Sequence, residues 1–207
     1  ESLTDEGLSQ AREIAGSIKT PEFKLEGVKD ADLAKFCQAF PNASRLSVKG
    51  GLTSIAPVAG LKNLTYFELE ANKVTDMSPL AKLTQLTRIS LKSEKMGPDL
   101  KWMTGLTALR EIEINAGSAL TSFEGFPALK GDPRVALNGA SPADLSPLKS
   151  LGSSKLELRY CTIQDLSPLA SMPNLRELSL YGATVKDFSP LAKCAKLKQL
   201  SYYAVKD

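Results

Sequence analysis

Two pairs of glutamates, Glu68/Glu70 and Glu111/Glu113, stand two residues apart in the chain. Two carboxylates flanking a scissile bond are the acid and base of glycoside hydrolysis. The same spacing is what the polar face of any β-strand supplies, because alternate residues share a face. Four aspartates, Asp76, Asp144, Asp165 and Asp187, each precede a Ser-Pro-Leu tripeptide by two residues. Their repetition points to structure, since negative charge is favoured near a helix N-terminus. A metal site would need them to converge on one point. Cys37, Cys161 and Cys194 are odd in number and widely spaced, which is neither a disulfide framework nor a CxxC metal site. Cys161 and Cys194 fall on apolar positions, and only Cys37 has a setting in which a reactive thiol is conceivable. The chain has no histidine. That removes Ser-His-Asp and Cys-His catalysis, histidine-ligated zinc and a histidine pH switch. Gly50-Gly51 reads as a turn, and no phosphate-loop motif is present. The expectation is no catalytic residue, no metal and no cofactor.

Composition narrows the class further. Over 207 residues there are 26 Lys+Arg against 23 Asp+Glu, a net charge of +3, with 43% hydrophobic residues. This suits one folded domain or one repeat array, and the charge is too small to argue for nucleic acid. No run of 18 apolar residues exists, so no membrane-spanning helix is expected. The chain opens at Glu1 without Met, which fits a trimmed or mature product.

The elements that position these residues come from a repeat. Ser-Pro-Leu recurs at Ser78, Ser146, Ser167 and Ser189, the last three 21 and 22 residues apart. A second series, apolar-x-apolar, reads Phe23/Leu25, Leu46/Val48, Phe67/Leu69, Ile89/Leu91, Ile112/Ile114, Val135/Leu137, Leu156/Leu158, Leu178/Leu180 and Leu200/Tyr202, in steps of 21 to 23 residues. Within the unit from Leu175 to Lys196, Leu178 and Leu180 alternate with Glu177, Ser179 and Tyr181, the pattern of a short half-buried strand. Ala183 and Val185 turn the chain back. Ser189-Pro190 reads as a helix start, with Ser as N-cap and Pro in the first turn, and Leu191 and Cys194 face inward. One unit cannot bury its apolar face alone, so stability comes from stacking.

This pattern resembles the leucine-rich-repeat family from about Phe23 to Asp207. The period and the tails VTDMSPLAKL (from Val74) and IQDLSPLASM (from Ile163) are similar to the short class of bacterial internalins and of the regulatory subunit of protein phosphatase 1. The resemblance implies an α/β solenoid with about nine parallel strands on its concave face and short helices or 3₁₀ turns on its convex face. Counting along the family pattern puts Asn72 and Cys161 at its Asn/Cys position, with Glu94, Gly117, Ala140 and Ala183 in the other units. From Lys92 to Pro142 the units are irregular, and variable convex turns are expected. Residues 1–20 carry Leu3, Leu8, Ala11, Ile14, Ala15 and Ile18 at helical spacing and read as an N-terminal helical cap. Residues 21–207 then form the array, with a further helix over Asp30 to Phe40.

Outward strand positions are the odd members of each row. Their summed charge alternates in sign through the first six rows. Adjacent parallel strands lie about 4.8 Å apart, so cations of one row face carboxylates of the next. A nucleic-acid surface would instead show a continuous basic stripe, so no nucleic-acid partner is expected. The alternation breaks after the sixth row. Arg134, Lys155 and Arg159 then cluster, Tyr160 follows Arg159, and Tyr181 and Tyr203 share one outward column. Tyr and Arg are enriched at binding hot spots, while the plainer reading is that Tyr181 and Tyr203 only stack on each other. Arg134, Lys155, Arg159, Tyr160, Tyr181 and Tyr203 are the candidate partner-binding residues.

The functional expectation is a non-enzymatic scaffold for protein–protein recognition through the concave face. The alternatives are a carbohydrate-active or other hydrolytic module using the paired glutamates, and a repeat fragment that positions a separate effector domain. The internalin-like repeat and the absent Met suggest a bacterial, extracytoplasmic setting; three unpaired thiols suit a cytoplasmic one equally. The chain is expected to be a monomer. Its last strand either folds Tyr202, Tyr203 and Val205 over the end as a minimal cap or pairs with another chain.

Overall fold

The structure is a computed structural model and describes residues 4–18 and 21–204. Leu3 and Val205, named in the expectations above, lie outside the described residues. In chain order the elements are helix α1 (Asp5–Gly16), strand β1 (Glu22–Val28), helix α2 (Asp30–Ala39), then strands β2 (Arg45–Gly50), β3 (Tyr66–Glu70), β4 (Arg88–Ser93), β5 (Glu111–Ala116), β6 (Arg134–Asn138), β7 (Lys155–Glu157), β8 (Thr162–Ile163), β9 (Glu177–Tyr181), β10 (Thr184–Val185) and β11 (Gln199–Tyr203). Among the described residues, one nine-stranded sheet runs β1-β2-β3-β4-β5-β6-β7-β9-β11. Every pairing in it is parallel. The apolar-x-apolar pairs lie in register, for example Leu156↔Leu178↔Leu200. One residue per repeat per position therefore stacks into a continuous ladder, and Leu46, Phe67, Ile89, Ile112, Leu156 and Leu178 are all at most 1% exposed.

The convex side is built of 3₁₀ turns where Ser-Pro-Leu or a related segment occurs, such as Ser78–Lys82, Ser167–Ser171 and Ser189–Lys193. Proline suits the first turn because its missing N–H has no partner there to lose. Ser is not the N-cap. The preceding apolar residue is, and no side chain caps in the usual way. The aspartate does that work instead. Asp187 Oδ1 accepts the Ser189 N–H at 2.8 Å and Oδ2 accepts its hydroxyl at 2.7 Å, and Asp76 binds Ser78 likewise. These bonds to the charged form hold Asp165 and Asp187 below the usual carboxylate range, the serine hydroxyl being the larger cause. In the irregular stretch only Lys101–Met103 forms such a turn.

The family's inward corner position needs correction. Asn72 is exposed, and the buried residue is Ala71. The corner residues are Ala71, Ser93, Ala116, Ala140, Cys161 and Ala183. They lie two residues past the second strand apolar in the first three of these units and three past it in the last three. In those last units a residue with positive φ intervenes: Gly139 (φ 77), Tyr160 (φ 56) and Gly182 (φ 66). Ser93 and Cys161 supply the corner's side-chain donors, to the carbonyls of Val74 (2.7 Å) and Leu137 (3.1 Å).

At the N-terminal end, Phe23, Phe36 and Phe40 form a ring cluster with centroids 4.6–5.0 Å apart. Helix α1 packs on α2 through Leu8, but Ala11 is exposed, and Ile14 and Ile18 are 63% and 49% exposed, so the inward stripe read from helical spacing is not realised. Cys37 is buried and burial pushes its thiol up to about 12, the reverse of a reactive cysteine. Cys161 is buried as expected and Cys194 only half so. Among the described residues no helix is long and apolar enough to cross a membrane.

Candidate functional site

The sheet presents its outward positions as three columns on the concave face. Over the first five strands most of the charges in these columns pair across the rows. Arg45 pairs with Glu22 at 3.6 Å, Glu70 sits between Lys49 (3.3 Å) and Lys92 (3.2 Å), and Arg88 meets Glu111 at 2.9 Å. Tyr66 lies between the guanidiniums of Arg45 and Arg88, 4.5 and 5.4 Å from its ring centroid, and donates its hydroxyl to Glu68 at 2.9 Å. Burial, with that bond to a carboxylate, pushes its phenol up to about 12. Glu113 accepts from the Asn115 amide. Three of the four paired glutamates therefore hold a cation or a tyrosine hydroxyl and the fourth an amide. Alternating charge along the rows is realised as cross-strand pairing, each exposed pair contributing roughly 0.2–1 kcal/mol.

From β6 onward the surface changes character. Arg134 is exposed at the start of β6, and no ion-pair partner stands beside it among the described residues, because its neighbour Glu111 is engaged by Arg88. It borders a small depression over Ala136 with Glu111 and Glu113. Lys155 and Arg159 are not free cations. Both reach the half-buried Glu157, at 3.6 and 2.7 Å, and Lys155 also lies 3.8 Å from Glu177. The basic cluster read from the sequence is thus largely neutralised within its own strands.

What stays open is aromatic. Tyr160, Tyr181 and Tyr203 are 58%, 42% and 59% exposed. Tyr181 and Tyr203 stack at 5.4 Å with an interplanar angle of 13°, and Tyr160 meets Tyr181 edge-on at 5.7 Å. The stacking expected as the plainer reading is present, and Tyr160 extends it into a row of three rings. Beside the row lies an open groove of about 550 Å³, lined by Lys155, Arg159, Tyr160, Glu177, Tyr181 and Gln199 among others. Its lining includes Ser179 and Ser201, adjacent small polar residues of the middle column. Glu177, Gln199 and these serines were not singled out in the sequence, though each occupies a predicted outward position.

Tyr160 is held in an unusual way. Its φ of 56° lies in the left-handed region, where an L side chain costs about 1–2 kcal/mol. The flanking repeats place glycine at the same point, Gly139 and Gly182. A Cβ on Gly182 would stand 2.5 Å from the Tyr160 ring, so the bare glycine makes room for that ring. Sequence reasoning placed Tyr160 in the site only because it follows Arg159; the strain was not legible.

Comparison with known proteins agrees with this architecture. No family model matches the chain, and no curated protein matches it significantly. Solved structures do. Internalin C2 of Listeria monocytogenes superposes with a TM-score of 0.54 at 21% identity, over 97% of this chain and 84% of that one. Internalin InlF of the same organism gives 0.60 at 23% identity, over 99% of this chain and 65% of its own. The leucine-rich-repeat domain of APL1B gives 0.56 at 12%, over 99% and 70%. At such identities the likeness speaks to the fold. By its repeat and its fold, the chain is a leucine-rich-repeat solenoid.

Proposed function

We propose that the protein is a non-enzymatic recognition scaffold and that it engages a protein partner through the concave face between β7 and β11. The observation that carries this reading is Tyr160: a half-exposed ring kept at a strained backbone position where both neighbouring repeats use glycine. Backbone strain concentrates at functional sites because the surrounding structure must over-determine it. Tyr181 and Tyr203 extend the aromatic surface, and Arg159 and Lys155 edge it. The engagement of the paired glutamates by Arg88, Lys49, Lys92 and Tyr66 argues against the hydrolytic alternative, since general acid–base work needs a carboxylate open to a substrate in a cleft.

The bacterial, extracytoplasmic setting belongs to the same proposal and rests on the internalin-like repeat of the sequence. So does the division into residues 1–20 as an N-terminal cap and 21–207 as the array. The test is affinity capture from the native source with the purified chain, quantified by mass spectrometry. Tyr181→Ala combined with Tyr203→Ala is expected to abolish the captured protein while leaving the urea midpoint within about 0.5 M of wild type. Undiminished capture by that variant, with loss on Glu111→Gln/Glu113→Gln instead, would move the site to the middle of the array.

A further inference from the structure

One outward column of the sheet changes its chemistry along the array. Lys49, Glu70 and Lys92 stand in register in it and are joined by ion pairs. Further along, Tyr181 and Tyr203 occupy it and stack on each other. Between these groups the column carries two amides, Asn115 and Asn138, and then Arg159.

Arg159 is where the ladder fails. Register pairing of β7 stops at Glu157 on both sides. Elsewhere in the sheet a strand N–H donates to the carbonyl one residue before its register partner: Arg134 to Arg110, Glu177 to Ser154, and Gln199 to Arg176. Continued past Glu157, that rule would send the Arg159 N–H to the Leu137 carbonyl. That carbonyl instead accepts the Cys161 thiol, at 3.1 Å. The Arg159 N–H goes to the side-chain Oδ1 of Asn138, also at 3.1 Å. The next N–H, of Tyr160, has a backbone acceptor, the Tyr181 carbonyl at 2.9 Å.

The orientation of the Asn138 amide is fixed from both ends. A backbone N–H only donates, so Asn138 turns its oxygen to Arg159. Its Nδ2 then donates to Asn115 Oδ1 at 3.1 Å, and Asn115 Nδ2 donates to Glu113 Oε1 at 3.0 Å. A carboxylate only accepts. The chain from Arg159 through two amides to Glu113 therefore runs in one direction. Turning either amide over would set donor against donor.

Asn138 borders the depression over Ala136 and not the groove beside the tyrosines, whereas Arg159 borders both. Whatever Asn138 does to the groove it does through Arg159 and the left-handed Tyr160 that follows.

We propose that Asn138 is a positioning residue for the recognition groove. Its side-chain oxygen replaces the acceptor that the ladder loses and, oriented through Asn115 by Glu113, sets where Arg159 and Tyr160 stand. This rests on the groove reading given under the proposed function.

The test compares Asn138→Ala, which removes the acceptor, with Asn138→Asp, which keeps it. Hydrogen exchange is read by NMR on the free protein. Asn138→Ala is expected to speed exchange of the Arg159 amide at least about tenfold. The Leu158 amide, bonded to the Ser179 carbonyl on the other side, should not change. The ring-proton shifts of Tyr160 and Tyr181, which meet edge-on, should move with the Arg159 amide. Asn138→Asp should keep both signals near wild type. Asn115→Leu should speed the Arg159 amide by a smaller factor, and no effect there would overturn the link to Glu113. With the captured partner as probe, Asn138→Ala should weaken binding at least about tenfold and Asn138→Asp should not. An Arg159 amide equally protected in wild type and Asn138→Ala would overturn the proposal, as would equal losses in the alanine and aspartate variants. A released Arg159 amide with undiminished binding, while Tyr181→Ala/Tyr203→Ala still abolishes it, would overturn the positioning role and leave the groove reading standing. Binding indifferent to all of these variants would overturn the groove reading, and the role in recognition with it, whatever the exchange rates.

Discussion

Replacing Tyr160 by glycine and by alanine separates strain from contact. Both changes remove the same ring, with its edge contact to Tyr181 and its packing over Gly182. They differ only in the backbone. Alanine at φ 56 keeps the left-handed penalty of about 1–2 kcal/mol for an L residue. Glycine adopts that conformation freely but loses about 0.5–1 kcal/mol more conformational freedom on folding. The balance favours Tyr160→Gly over Tyr160→Ala by about 0.5–1 kcal/mol. With a urea slope of about 2–3 kcal/mol/M for a chain of this size, the two midpoints should differ by about 0.3 M at equal slope. Ala136→Gly, in the interior of β6 at ordinary φ, is the control and should move the other way by a similar amount. Equal midpoints for the two Tyr160 variants, or a more stable alanine, would refute the claim that Tyr160 occupies a glycine position under strain. Tyr160 would then need no role in recognition to account for its backbone.

Leu178→Ala, at 1% exposure between Leu156 and Leu200, should cost about 2–5 kcal/mol by urea unfolding. Ser179→Ala, one residue on and facing the groove, should cost under about 0.5 kcal/mol, and equal losses would overturn the strand register. Asp30 accepts the hydroxyl and backbone N–H of Thr53 and the N–H of Ser54, and the hydroxyl bond above all holds its carboxyl below the ordinary 3.8. Its stabilising contribution is present above that value and is lost as pH falls through the lowered one. Asp30→Asn should therefore destabilise at pH 7 and match wild type at the acid end of a pH series of midpoints. Thiol titration at pH 8 should label the half-buried Cys194 first. Cys37 and Cys161, raised to about 12 and about 11 by burial, should react only as fast as the protein opens.

The repeat made the sheet legible because burial acts identically on every turn of a solenoid. A residue that packs in one unit recurs at the same step in the next, so all nine strands and their outward columns could be read from spacing. Errors arose where local backbone geometry, not burial, sets position. The left-handed residue in the last three units adds one residue between strand and corner. Gly139 and Gly182 look like ordinary turn glycines and Tyr160 gives no signal at all, so the corner was counted to Asn72 instead of Ala71. The serine of Ser-Pro-Leu reads as a cap because serine favours that role, but its hydroxyl is turned back onto the aspartate two residues earlier, which also accepts the serine's own N–H. The two-residue strands β8 and β10, paired beside the main sheet, are too short to leave a periodic trace. In the site, Arg134, Lys155 and Arg159 read as a basic cluster when Glu157 counts only as one charge of its row. Its side chain shares their face and reaches both, a consequence of i, i+2 geometry visible only once contacts are considered together. Ile14 in α1 and Ile18 just past its end follow helical spacing without a surface to cover them.

The central claim is that recognition resides on the concave face from β7 to β11. Hydrogen exchange on the complex with the captured partner, compared with the free protein, reads that face directly. The account predicts slowed exchange at the backbone amides around Arg159, Tyr160, Tyr181, Gly182 and Tyr203, with those of β3 to β5 unchanged. Protection centred on Glu68, Glu70, Glu111 and Glu113, with the Tyr160 to Tyr203 amides unaffected, would contradict it.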